Sequence, residues 1–210
     1  MNKHEFIRLN TAFKPPENVA EKVITLSRET SKGNEAVFVL DNIQFHPHIT
    51  IYSPEYPESN MDKVLKVVEE IANKNTKVRF KFQKISNGQG FISLKFDYSL
   101  DIKNFHKEII TKLNPLREGH IRKKYQEGSD YYINFTPEQK ENIIKYGYPD
   151  SMDLYFPHLT IIKLKDELLA ETMSEEIRWD VPEFTADKIA VYKMGEHGTC
   201  RELVREFDLR

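Results

Sequence analysis

The chain has 210 residues, 39% of them hydrophobic and 30% charged, the proportions of a globular protein rather than of a disordered, collagen-like or disulfide-stapled one. Its 31 lysines and arginines against 33 aspartates and glutamates give a formal net charge of -2, which excludes a protein that grips long nucleic acid by overall charge and leaves room only for a local basic patch. The lone Cys200 cannot close an internal disulfide, and the opening MNKHEFIRLN and a mean hydropathy of -0.60 offer no signal peptide or bilayer segment, so a cytoplasmic monomer with no membrane role is expected.

β-branched or aromatic runs alternate with stretches of helical spacing, the pattern of a mixed α and β protein. Phe6 to Phe13 reads as a strand, broken by Lys14-Pro15-Pro16-Glu17, and Val19, Val23 and Leu26 mark one face of a helix over 18–29. Glu35 to Leu40 and Phe45 to Tyr52 read as two strands of a hairpin across Asp41-Asn42. A helix over 61–73 follows, then a hairpin of Val78 to Ile85 with Gly90 to Phe96, then a helix over 101–113. The pattern weakens between Asn114 and Asp153, read as an elaborated connection that carries Arg117, Arg122, Lys123 and Lys124 and a short helix over 137–146. Leu154 to Leu164 is a strand, Glu167 to Ile177 a helix, and Ala186 to Met194 with Arg201 to Phe207 a last hairpin.

One feature recurs: His48-Ile49-Thr50-Ile51 and His158-Leu159-Thr160-Ile161 both read His-apolar-Thr-apolar. A random chain of this composition would hold ~0.06 such tetrapeptides, so two are hard to ascribe to chance. Both lie in β-rich runs, where residues i and i+2 share a face, so each histidine points the same way as its threonine while the residue between them anchors the strand. A proline precedes each motif, in Phe45-His46-Pro47-His48 and Phe156-Pro157-His158, which places the histidine where its strand enters the sheet.

The paired motifs resemble those of the 2H phosphoesterase superfamily, and within it the 2'-5' RNA ligase-like or LigT-like group. Arg8 through Glu17 is similar to that group's opening strand and proline-marked turn, and Ala186 to Lys193 through Leu209 to its closing hairpin. The resemblance implies an α+β, bilobal, pseudo-symmetric fold over residues 1–210, with two antiparallel-rich sheets flanked by helices around a central cleft. It implies attack at a phosphodiester, a 2',3'-cyclic phosphate or a 2'-5' linkage, in an RNA end or small nucleotide, without metal or other cofactor. His48 and His158 match the catalytic pair and Thr50 and Thr160 the phosphate-contacting hydroxyls, while Lys163 falls where LigT-like members often place arginine.

The residue types suit that chemistry. An imidazole pKa near 6.5 lets one histidine act neutral as general base and the other protonated as general acid, and the sequence does not say which takes which part. Threonine hydroxyls can donate to the non-bridging oxygens. Tyr52 shares the alternation of His48 and Thr50 and is a candidate for stacking on a base, with Phe13, Tyr155 and Tyr192 as weaker ones. Lys163 is out of step with Thr160 and needs a bulge or a strand end to reach the same face. Two alternatives stay open: a three-histidine metal site of His46, His48 and His158, and a noncatalytic protein that binds RNA ends or nucleotides.

Overall fold

The structure, a computed structural model, describes residues 5–210. It is an α+β fold of two antiparallel five-stranded sheets flanked by helices. In chain order the elements are β1 (Phe6–Lys14), α1 (Glu17–Ser31), β2 (Ala36–Val39), β3 (Ile49–Tyr52), β4 (Glu55–Pro57), α2 (Met61–Ala72), β5 (Val78–Gly88) and β6 (Phe91–Phe96). Then come α3 (Leu100–Leu113), α4 (Pro137–Tyr146), β7 (His158–Leu164), α5 (Glu167–Glu176), β8 (Glu183–Ala186), β9 (Lys188–Met194) and β10 (Cys200–Asp208).

The first sheet runs β10-β9-β1-β3, with β4 pairing the start of β1, and the second runs β2-β7-β6-β5-β8. Thus β3 and β7, the two motif strands, belong to different sheets. α2 and α3 pack on the first sheet, α1 and α5 on the second, each through an apolar stripe such as Val64, Leu65, Val68 and Ile71 of α2. The helices start where the sequence offers caps. Ser99 Oγ accepts from the N–H of Ile102, Asp166 accepts from those of Leu168 and Leu169, and Thr136 forms a capping box with Gln139.

The expected hairpin of residues 35–40 with 45–52 does not form: β2 pairs with β7 and β3 with β1. Asp41 Oδ1 accepts from the N–H groups of Ile43, Gln44 and Phe45 at 2.9, 2.8 and 2.9 Å, and Asn42 is left-handed at φ 62°. The result is an open loop that carries the chain from one sheet to the other. Burial alone would raise the Asp41 carboxyl, but those three donors hold it below its ordinary pKa. A second difference is β8, a four-residue strand whose alternation, with Phe184 and Ala186 buried, is too short to stand out in the sequence and which closes the far edge of the second sheet on β5.

Residues 114–153 are an irregular connection with one helix, α4. Its basic run is not a single patch. Arg117 is 3% exposed and binds Asn114 Oδ1 at 2.7 Å and the carbonyls of His120, Ile144 and Lys145 at 2.5, 2.9 and 2.9 Å. It is a structural clip, set against Gly147, which ends α4 in the left-handed conformation at φ 67°.

Candidate active site

A proline stands before each motif histidine, and the residue before a proline is held extended. In both motifs that residue turns its carbonyl onto the histidine two positions on: His48 Nδ1 donates to His46 O at 2.8 Å, and His158 Nδ1 to Phe156 O at 3.2 Å. Each ring is therefore fixed in the Nδ1–H tautomer with Nε2 as its free nitrogen. Both rings are partly buried and line one cleft of about 460 Å³ between the two sheets, with Thr50 and Thr160 beside them.

The threonines are held alike. Asn10 of β1 donates its Nδ2 to Thr50 Oγ1 at 2.9 Å, and Ser93 of β6 donates to Thr160 Oγ1 at 3.3 Å. With one lone pair of each hydroxyl occupied, its proton is turned toward another acceptor, which suits it to donate into the cleft.

Both motif strands carry a bulge at the same offset. On β3 the register against β1 slips between Thr50 and Tyr52, and on β7 the register against β6 slips between Thr160 and Ile162. The extra residue reverses the alternation, so that Ile51 and Tyr52, and Ile161 and Ile162, are all buried. The fifth position after each histidine then returns to the cleft as Ser53 and Lys163. Lys163 Nζ lies 4.0 Å from the centroid of Phe91 and donates to Gln89 O, with burial lowering its pKa.

The same bulge removes Tyr52 from the place strict alternation gave it. It is fully buried, and its hydroxyl donates to Tyr146 O at 2.5 Å and lies 3.2 Å from Asn114 Oδ1, tying β3 to the connection rather than lining the cleft. Phe13 is core, and Tyr155 donates to Thr50 O at 2.9 Å from a buried position against His106. Tyr192 packs against His46 and His48 from below. His46 faces Asn42, its Nδ1 3.2 Å from Asn42 Oδ1, and among the described residues no three His, Cys, Asp or Glu side chains gather as a metal-binding group.

Electrostatics separate the two histidines. Burial pushes His48 down to about 4, against the His46 carbonyl and with the help of His158, His46 and Arg8. His158 is also lowered, first by burial, but the Phe156 carbonyl and the carboxyl of Asp150 oppose the shift. Asp150 lines the cleft at the end of the connection, bonded to Gln139 Nε2 at 3.0 Å. Sequence reasoning missed Asn10, Ser93, Asp150, Arg8 and Lys95, all of which touch the motif residues or line the cleft, and of the basic run from Arg117 to Lys124 only Lys124 lines it. None carries a motif of its own, because each reaches the cleft from a strand or loop paired to the motif strands only in three dimensions.

Two sheets that each present a His-x-Thr strand to a shared cleft define a two-histidine phosphoesterase fold. The chain belongs to the 2'-5' RNA ligase superfamily, whose family model matches residues 15–198, and so to the 2H phosphoesterases that its motifs resemble. Among solved structures it is similar to TT0787 of Thermus thermophilus, with a TM-score of 0.58 at 16% identity over 97% of this chain and 98% of that one. It is likewise similar to E. coli LigT complexed with NADP+ and to E. coli LigT complexed with 3'-AMP, each with a TM-score of 0.55 at 12% identity over 98% and 99% of the two chains. At such identities the likeness is one of fold. No curated protein matches the chain.

Proposed function

We propose that this protein is a metal-independent phosphodiesterase that opens or hydrolyses a 2',3'-cyclic phosphate or a 2'-5' linkage in an RNA end or small nucleotide. The carrying observation is the pair of carbonyl-pinned imidazoles, His48 and His158, each with a free Nε2 and a neighbouring threonine, in one cleft. The LigT complexes with NADP+ and 3'-AMP support a nucleotide as substrate.

In this reading His48, lowered by burial to about 4, is neutral and serves as general base. It takes a proton from the attacking water as the new P–O bond forms. His158, whose proton Asp150 helps to retain, gives it to the ribose oxygen as that P–O bond breaks. Thr50 and Thr160 donate to the two non-bridging oxygens, each donor worth about 2–4 kcal/mol where negative charge is held. Lys163 adds charge at the rim, and the two sheets act as halves of one domain.

The test is incubation of the purified protein, in EDTA, with 2',3'-cyclic AMP and with a 2'-5'-linked diadenylate, products being resolved by chromatography. Turnover of either in chelator is expected. Activity lost in EDTA and restored by zinc would move the chemistry to a metal; binding without turnover would leave a nucleotide-binding protein.

A further inference from the structure

β1 sets Arg8 directly across the ladder from Glu55 of β4, a position from which an arginine and a glutamate ordinarily pair. Here they do not. The two carboxylate oxygens of Glu55 are taken by His120 Nε2 at 3.0 Å and by Arg122 Nε at 3.1 Å. The Arg8 guanidinium makes no hydrogen bond or ion pair with any described residue, its Nε is fully buried without a partner, and its side chain lines the cleft. A buried cation with no counter-ion is costly unless something anionic arrives to meet it.

Lys124 stands on the same wall. Its Nζ lies 4.2 Å from the centroid of Tyr131 and 5.3 Å from that of Tyr125, and it pairs with no described carboxylate. Burial, then Arg122 and Arg8, pulls it down to about 8, so the two side chains are close enough to feel each other's charge. Arg8 stands on β1, which pairs with β3 in the first sheet, so it lies on the His48 side of the cleft that Arg8 and Lys124 both line. Beyond Lys124 a second cavity of about 580 Å³ runs along the connection past Arg122 and Ser129. Of the charged residues lining the main cleft, besides its histidines, Arg8, Lys95, Lys124 and Lys163 are cations and Asp150 alone is a carboxylate.

A phosphodiester seated at the histidines has its non-bridging oxygens met by Thr50 and Thr160 and its leaving oxygen by His158, so the reaction as proposed assigns no part to Arg8 or Lys124. We infer that Arg8 and Lys124 form a second phosphate position, so that the substrate carries another phosphate group on the far side of its terminal nucleoside. Two sources share that chemistry: the 5'-phosphate of a mononucleotide and the phosphodiester that precedes the last nucleoside of an RNA. The inference rests on the nucleotide reading above for the position of the first phosphate.

Calorimetric titration of the full chain in EDTA reads this independently of turnover, so a protein that hydrolyses nothing can still satisfy or fail it. The probes are adenosine 3'-phosphate, adenosine 3',5'-bisphosphate and a 3'-phosphorylated diadenylate. At least one two-phosphate probe is expected to bind about tenfold more tightly than the one-phosphate probe, or better, the usual worth of a charge-assisted contact. Which probe gains identifies the source. Lys124→Met, on the half-buried connection, is expected to bring the ratio to about one, as is Arg8→Met if circular dichroism shows it folded. A smaller wild-type ratio for both probes, or a ratio that survives Lys124→Met, overturns the inference.

Discussion

His48 and His158 carry the same tautomer for the same reason, yet their surroundings differ, and that difference sets the expected pH dependence. His48 loses its proton as pH rises through about 4; His158 loses its own as pH rises through a value below the ordinary 6.5. With His48 as base and His158 as acid, kcat/KM is a bell that falls on the acid side of 6.5. Stopped assays with 2',3'-cyclic AMP from pH 3.5 to 8 check it, and an optimum above pH 7 would contradict the assignment. Asp150→Asn removes a charge that keeps His158 protonated, so the alkaline limb moves to lower pH while the acid limb stays. His48→Ala and His158→Ala each lower kcat by about 100- to 10,000-fold, the threonine-to-alanine changes by less, and the double histidine variant does not compound the two losses. The four motif residues were legible because a fixed i, i+2 spacing appears twice. Tyr52 was misplaced because one inserted residue, invisible to alternation, reverses the side on which it falls.

Among the elements, the connection depends most on a single fastening. Arg117 satisfies three carbonyls at once, and a Cβ on Gly147 would lie 3.0 Å from Arg117 Cδ in a backbone conformation that other residues resist. Gly147→Ala should cost about 1–2 kcal/mol, and Arg117→Ala about 3 kcal/mol because the carbonyls lose their donor. Urea denaturation measures both, and limited proteolysis should then cut within residues 118–135. An unchanged midpoint in Arg117→Ala would mean that the connection is held elsewhere. This segment and the helix inside it were legible in the sequence, since Thr136-Pro137 and Gly147 bracket α4 with local signals. Arg117 could not be told from Lys124 there, because burial depends on what packs above a residue. The β2–β3 pairing failed for a related reason: Asp41-Asn42 reads as a tight turn until three N–H groups converge on one carboxylate.

For the molecule as a whole, the join between the first sheet, α3 and the connection passes through His106. Fully buried on α3, it donates Nδ1–H to Ile51 O of β3 at 2.9 Å and accepts from the N–H of Met152 at 3.0 Å. The bond from Met152 requires the neutral ring, and burial, against the Ile51 bond, lowers the His106 pKa to about 4. An unfolded histidine binds its proton near 6.5, so between 6.5 and 4 the unfolded chain holds the extra proton and stability falls with pH. The slope is about 1.4 kcal/mol per pH unit. Above 6.5 the group contributes no slope, and below 4 it adds no further loss. Urea midpoints at pH 7, 6 and 5 should fall in that order, and His106→Gln, which keeps one donor and one acceptor, should make the series shallower, the remainder coming from the lowered His48 and His158. An equally steep series in that variant would assign the effect to other groups.

The carbonyls that hold His48 and His158 belong to the main chain at positions 46 and 156. Every amino acid carries that oxygen, so no substitution at either position deletes the acceptor; only a change in the path of the chain can withdraw it. An imidazole steered by a carboxylate can be disarmed by one codon. Here the orientation of both rings is inherited with the backbone, and Pro47 and Pro157, which stiffen that backbone, are the places where mutation can still reach it.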